Sequence, residues 1–341
     1  MIVFYIIIAL LVFGFLIFIH ELGHFLFAKR FGVAINEFSI GMGPKIFSKI
    51  GKDGVTYSLR AFPIGGYVAM VGEEEESDNP NAFCKKAAWK RFIIVVAGAI
   101  MNLLIGFLIM TILTLSSPRF GGTTIGRFEE NSLSSESGLM VDDEIIKINN
   151  KNVHVANELS YRIMHSGSEP VSVTLIRDGN KLTIDGVIFP QIESQGISFG
   201  EMDFLVYEEP KTFSTIVKNS FYSCKLTVSM VWDSLTDLIS GKYGFEHVSG
   251  PVGVTGAITD AAKTGTYNLF FVVVIIAVNL GIFNLLPIPA LDGGTLVFLL
   301  IEMIFRKPVP KKIEEGLKMT GFALLMLLVL IVTLKDVINL F

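Results

Sequence analysis

His20-Glu21-Leu22-Gly23-His24 brings two imidazoles and a carboxylate into little more than one helical turn. Residues four apart share a helix face, so His20 and His24 have the spacing that two ligands of one metal ion require. Glu21 sits beside that face, where it can take a proton from a water that the metal activates. The pentapeptide closes an apolar run, Met1 to Ile19, that holds no charged residue. Ionisable groups inside a membrane helix are costly and, as a rule, functional. On a soluble helix the same five residues could arise by chance on a solvated face, and this segment offers no such face. The pattern predicts hydrolysis assisted by a zinc ion inside a lipid bilayer.

A catalytic zinc takes three protein ligands and leaves one position open. Asp292, in Asn284-Leu-Leu-Pro-Ile-Pro-Ala-Leu-Asp-Gly-Gly294, is the candidate for the third. Pro287 and Pro289 break the preceding helix, and Gly293 and Gly294 let the backbone turn again. Broken helix at membrane depth survives only where protein or a wet cavity surrounds it. The alternative is that Asp292 simply caps the helix that follows. These two readings are balanced until the orphan histidine pair is counted, which favours the ligand. Asn284 can bond a substrate backbone or a developing oxyanion, or it can hold helices together. Asn102, one turn after Gly98, is expected mainly to pack helices near the metal.

The elements that position these groups follow from composition and hydropathy. The 341 residues are 51% hydrophobic, with a mean hydropathy of +0.58, too apolar for an ordinary soluble domain. Residues 1–27 form a first span carrying the histidines, and the start lacks the basic flank and small-residue cleavage site of a signal peptide. Further spans are expected at 92–115, 268–294 and 319–336; the first is long enough to cross a core of about 30 Å, while the last is built on a shorter, borderline apolar stretch, Gly321–Leu334, that extends in both directions. Residues 295–305 contain Glu302 and read as a helical continuation. The loop 28–91 holds ten Lys and Arg, and Arg306–Lys318 holds five, so both are expected on the cytoplasmic side. Arg119–Lys211 carries eight basic and fifteen acidic residues and belongs outside. Both termini then lie outside, and His20 lies nearer the cytoplasm. The net charge of −4 gives no reason to expect a nucleic-acid partner. Two cysteines, Cys84 and Cys224, form neither a disulfide framework nor a metal cluster by their spacing.

Between the spans, 55–71 alternates apolar and polar residues around Pro63-Ile-Gly-Gly66 and reads as a surface hairpin. The run Glu73–Glu76 reads as a solvated loop. Residues 119–209 show short strands, turns and a helix near 156–165, a mixed α/β module. Its phrase Ser137-Gly-Leu-Met-Val-Asp-Asp-Glu-Ile-Ile-Lys-Ile-Asn-Asn150 resembles PDZ domains, with Asp142 and Asn150 where those domains carry glycine. His154 and His165 are expected to serve packing. Residues 212–240 form an amphipathic helix whose stripe runs through Phe213, Val217, Ser220, Cys224, Val228, Val231, Leu235 and Leu238.

Taken in order, His20-Glu21-Leu-Gly-His24, Gly98 with Asn102, the PDZ-like insert, Gly250-Pro-Val-Gly253 and Asn284-x-x-Pro-x-Pro-x-Leu-Asp-Gly293 resemble the site-2 proteases, in their bacterial, RseP-like branch with a single PDZ domain. The resemblance spans nearly the whole chain. Ala99 departs from it, since the family often has proline there. The fold it implies is a polytopic α-helical membrane protein of about four spans, with a membrane-associated β-hairpin and an inserted PDZ-like domain. The enzyme it implies is an intramembrane zinc metalloprotease of the bacterial cytoplasmic membrane, holding one zinc on His20, His24 and Asp292. Glu21 would be the base and Asn284 would support substrate or transition state. The hairpin would present an edge, Tyr67, Val68, Ala69 and Met70, to the main chain of an unwound substrate. Substrates would be single-span membrane proteins of anti-sigma-factor type, or remnant signal peptides, already trimmed outside and held among membrane lipid. A metal transporter would also place His and Asp in membrane helices but has no use for Glu21. A non-catalytic scaffold would leave the whole cluster unexplained.

Overall fold

The computed structural model describes residues 2–73, 75, 77–167, 169–194, 197–242, 244 and 248–338. Glu74 and Glu76 of the acidic run lie outside the described residues. The chain forms two compact units, one of Met1–Ile109 with Met230–Phe341 and one of Met110–Ser229.

The first unit opens with α1 (Ile2–Arg30), then β1 (Ile35–Ile50), β2 (Thr56–Met70) and α2 (Ala88–Ser116), whose last residues enter the second unit. Among the described residues, four helices are long and apolar enough to cross a membrane: Phe4–Arg30, Ala88–Ser116, Thr266–Leu285 and Lys311–Ile338. Together with the sheets they fit a polytopic membrane protein. The last begins well before the apolar stretch at 319, because Lys311–Lys318 has strong helix formers and two i,i+4 ion pairs, Lys311–Glu315 and Lys318–Glu314.

The strand predicted at 55–71 has a different partner from the one expected. Residues 55–61 do not fold back on 67–71 through a turn at Pro63–Gly66. Instead β2 pairs with β1, a strand within the segment 28–91 expected as loop. Glycines at positive φ, Gly41 (82°) and Gly65 (84°), bend each strand on itself. The first half of β1 then has neighbours on both sides: Phe38 pairs with Val68 and with Tyr57, and Ser39 with Tyr67 and with Ser58. The second half, Lys45–Ile50, pairs with 56–60. The stretch 66–70 is therefore an edge, joined to the sheet through 35–40.

Packing fixes where that edge lies. Phe38, Val68 and Met70 share a buried core with Phe25 of α1 and Ile94 of α2. The Phe25 and Phe38 rings stack with centroids 4.6 Å apart. Polar contacts hold the opposite face. Glu37 accepts hydrogen bonds from Ser58 and, at 3.0 Å, from Arg60, and pairs with Lys45 at 3.0 Å. Burial pushes the Glu37 carboxyl up, but these donors outweigh it and hold its pKa down at about 2. A carboxylate depressed in the folded state stabilises the fold above its unfolded pKa, about 4.3, and that contribution fades as pH falls toward 2. Amide exchange at Ser39 and Val68 should accordingly accelerate, beyond the intrinsic pH effect, between pH 4 and 2. In Glu37→Gln that acid-dependent component should vanish.

After α5 (Phe213–Ser240), which begins in the second unit, come α6 (Pro251–Thr264), α7 (Thr266–Leu285), α8 (Asp292–Phe305) and α9 (Lys311–Ile338). Glu302 of α8 pairs with Arg91 at the start of α2, which gives the charge in that apolar helix its partner. Asp336 near the end of α9 accepts from the Gly250 and Gly253 N–H groups, at 2.9 and 2.8 Å, and so caps α6.

The second unit holds β3 (Phe120–Phe128), α3 (Leu133–Glu136), β4 (Glu144–Ile148), β5 (Lys151–Asn152), α4 (Ala156–Ser166), β6 (Val171–Arg177) and β7 (Asn180–Val187), followed by β8 (Gln191–Ser194), β9 (Ile197–Gly200) and β10 (Phe204–Glu209). The main sheet runs β10-β3-β4-β6-β7, with β5 on β4, and β8 pairs with β9. Its core is built on Ile125, Ile145, Leu159, Ile163, Leu175 and Phe204, all fully buried. Each such side chain contributes roughly 1.5–3 kcal/mol. Asp142 and Asn150 adopt φ of 73° and 64°. Both residue types tolerate the left-handed region, so they keep the turns for which a glycine would otherwise serve. His154 packs as expected, bonded to Glu158 at 2.9 Å and stacked on Tyr222 at 3.9 Å. The stripe expected on α5 divides: Val231 is buried, but Phe213, Val217 and Val228 are exposed, while Ser220, Ser223 and Thr227 are buried. The inward face is set by small polar residues that fit close contacts, such as Ser223 against Asn157.

Candidate metal centre

His20 and His24 lie in the second half of α1, and both are 8% exposed. Asp292 is the first residue of α8, reached through the Pro287–Pro289 break after α7. Three atoms from these distant stretches converge. His20 Nε2 is 3.0 Å and His24 Nε2 is 3.2 Å from Asp292 Oδ2, and the two Nε2 atoms are 3.1 Å apart. Apart from these two ring nitrogens, the buried Asp292 Oδ2 has no polar partner among the described residues. Leu291, not Asp292, occupies the capping position of α8, and no side chain caps that helix.

This triangle fits a metal. Two imidazole nitrogens and a carboxylate oxygen are a zinc donor set, and a tetrahedron with bonds of about 2.0–2.1 Å has edges of roughly 3.3 Å. An orphaned buried carboxylate oxygen between two imidazoles is costly unless a cation binds all three. Among the described residues, this is the one group of His, Cys, Asp and Glu side chains close enough to share an ion.

The outer nitrogens of both rings are also committed. His24 Nδ1 lies 2.9 Å from the Ile94 carbonyl oxygen, which can only accept. Nδ1 therefore carries the proton, and Nε2 keeps its lone pair for the metal. His20 Nδ1 lies 3.5 Å from the side-chain amide of Asn102, whose oxygen is otherwise an unpaired buried acceptor. With the amide turned to present that oxygen, it accepts the His20 Nδ1 proton and both groups are satisfied. Asn102 is fully buried. Asn102, expected mainly to pack helices, thus also holds His20; a polar amide one turn from Gly98 in an apolar span is the sequence signal for it.

Gly98 makes the convergence possible. A Cβ there would stand 2.4 Å from His24 Nε2 and 2.8 Å from His20 Cε1. The α2 backbone lies directly against both rings. Gly98→Ala should displace the imidazoles and strip the metal from the folded protein. Zinc per chain by elemental analysis, read beside a thermal unfolding curve, checks this expectation.

Glu21, His20, His24 and Asp292 line one cavity of about 160 Å³, with Val68 and Met70 on one wall. At roughly 10–15 Å³ per water it holds on the order of ten waters, room for a peptide group and the water that attacks it. The Val68 backbone N–H donates to the Glu21 carboxylate, and a Cβ at Gly66 would stand 3.9 Å from Glu21 Cγ. The β-sheet edge therefore lies at the carboxylate. Tyr67 turns the other way and accepts from Arg60, and Ala69 is half-buried. Asn284 is half-buried on the last turn of α7 and does not line the cavity.

Residues 8–328 match the profile of Peptidase family M50, across almost the entire chain and both halves of the metal site. The chain belongs to this family of site-2 proteases. A protein of Clostridium acetobutylicum, provisionally named a zinc metalloprotease, is 40% identical over 341 residues, covering 98% of each chain. The zinc metalloprotease RasP of Bacillus licheniformis is 29% identical over 420 residues, covering 97% of this chain and 98% of its own. A Bacillus subtilis relative at 28% identity, covering 97% of this chain and 98% of its own, is named regulator of sigma-W protease RasP. This M50 peptidase is a zinc metalloprotease with the multi-pass character its helices indicate.

Proposed function

We propose that this M50 peptidase cuts single-span membrane proteins within their transmembrane segments, after another protease has removed the outer part. The observation that carries the reading is the convergence of His20, His24 and Asp292 inside apolar helices, with Glu21 and a sheet edge on the same cavity. A soluble substrate would gain nothing from a site at that depth. The Bacillus subtilis relative is named for sigma-W regulation, so an anti-sigma factor is the first substrate class to try, with remnant signal peptides second.

In this reading His20, His24 and Asp292 hold one zinc. Bound zinc supplies a Lewis acid that activates water and polarises a carbonyl near neutral pH. Glu21, beside the ligands and fixed by the Val68 N–H, takes the proton from the attacking water and returns it to the leaving amine. A helical substrate hides its carbonyls in its own hydrogen bonds and has to unwind first. The edge 66–70 pairs with the unwound strand through the main chain, independent of side chains, with Val68 and Met70 facing the cavity. Asn284, half-buried on the last turn of α7, supports the substrate or the transition state.

In this reading the cavity mouth is on the cytoplasmic side and the second unit is outside, which the positive charge of loops 28–91 and 306–318 supports. That unit is read as a PDZ-like filter that excludes untrimmed substrates. Support comes from its mixed sheet with α4, and from Asp142 and Asn150 holding the turns of the PDZ-like phrase.

The test is reconstitution with a single-span anti-sigma-type protein whose outer domain has been removed. The account expects chelator-sensitive release of a fragment whose new end maps inside the transmembrane segment. Equal cleavage of the untrimmed protein would remove the filter role, and a cut outside the segment would remove the intramembrane role.

A further inference from the structure

Peptide hydrolysis builds negative charge on the scissile carbonyl oxygen, and a hydrogen-bond donor aimed at that oxygen lowers the barrier. The cavity holds few donors. The outer nitrogens of His20 and His24 are engaged with Asn102 and the Ile94 carbonyl, and their inner nitrogens face Asp292. The Val68 N–H is given to Glu21. The remaining side chains on the wall are apolar, except for Glu73 and Thr295. Glu73 is a carboxylate and would repel an oxyanion.

Thr295 remains. It sits three residues after Asp292 on α8, so the two share a face one turn apart. It lines the same cavity, and its hydroxyl has no hydrogen-bond partner among the described residues. The N-terminus of α8, which no side chain caps, opens at the same place, and its dipole favours negative charge.

Resting on the protease reading above, we propose that the Thr295 hydroxyl donates a hydrogen bond to the scissile carbonyl oxygen of the substrate and to the oxyanion that forms from it. The hydroxyl keeps its own proton throughout. Thr295 is then a catalytic residue on the metal-bearing turn of α8.

Thr295→Val keeps the shape and removes the donor, and Thr295→Ser keeps the donor and removes a methyl. Both are compared with the wild type on one reconstituted single-span peptide, with zinc content and unfolding temperature measured on the same preparations. In the valine variant kcat should fall about 10²–10³-fold. KM and zinc content should stay near wild type, and the serine variant should recover most of the rate. Wild-type kcat in the valine variant would overturn the proposal, as would zinc lost in proportion to activity, which marks a structural role. A wild-type chain that leaves the peptide intact would bring down the intramembrane reading itself. Cleavage by the wild type and by the valine variant alike would bring down this proposal alone.

Discussion

Glu21→Gln retains one zinc per chain and the wild-type fold, and cleaves its substrate about 10²–10⁴-fold more slowly, the range that a positioned general base supplies. The expectation follows from the division of labour in the cavity. Glu21 lines it but is not one of the three converging ligand groups. Its carboxylate is oriented by the Val68 N–H on the sheet edge that would align a substrate. Glutamine has the same length and can keep that hydrogen bond through its oxygen, but it cannot take a proton from water. The comparison is a time course of fragment release, wild type against variant, with zinc measured on both preparations. Zinc loss in the variant would make Glu21 a ligand, and undiminished cleavage would remove it from the proton transfer.

Asp292→Ala, by contrast, should fold and lose its metal. The carboxylate supplies one of three candidate ligand atoms, 3.0 and 3.2 Å from the two imidazole nitrogens. Loss of an outer-shell partner costs metal sites roughly 10–100-fold in affinity, and loss of a ligand should cost more. The fold should survive, because Asp292 makes no capping bond to α8. Zinc content after dialysis against a weak chelator reads the effect, with unfolding temperature as the control. Full zinc retention with a lowered unfolding temperature would return Asp292 to a purely helical role.

The convergence of His20, His24 and Asp292 was legible because each part left a local mark. His20 and His24 stand at helical spacing inside an apolar run, and Asp292 follows a Pro-rich break that membrane depth makes costly. The four long apolar helices among the described residues were legible from hydropathy for the same reason. The sheet beside the site was not. Strand 66–70 joins 35–40, and the choice depends on bends at Gly41 and Gly65 and on Phe38 finding Phe25 of α1. Nothing in the alternation of 55–61 distinguishes that partner from a simple hairpin. Gly98 and Asn102 read as helix packing, since only the folded chain shows both histidine rings against the α2 backbone. Thr295 left no mark at all, because a threonine in an apolar helix usually bonds its own backbone.

The central claim is that His20, His24 and Asp292 bind one zinc together. Zinc-edge X-ray absorption on the purified wild-type protein in detergent tests it most directly. The account predicts a first shell of nitrogen and oxygen at about 2.0–2.1 Å with two imidazole scattering patterns, one of which disappears in His24→Ala along with most of the bound metal. A shell containing sulfur, or an unchanged two-imidazole spectrum in His24→Ala, would contradict it.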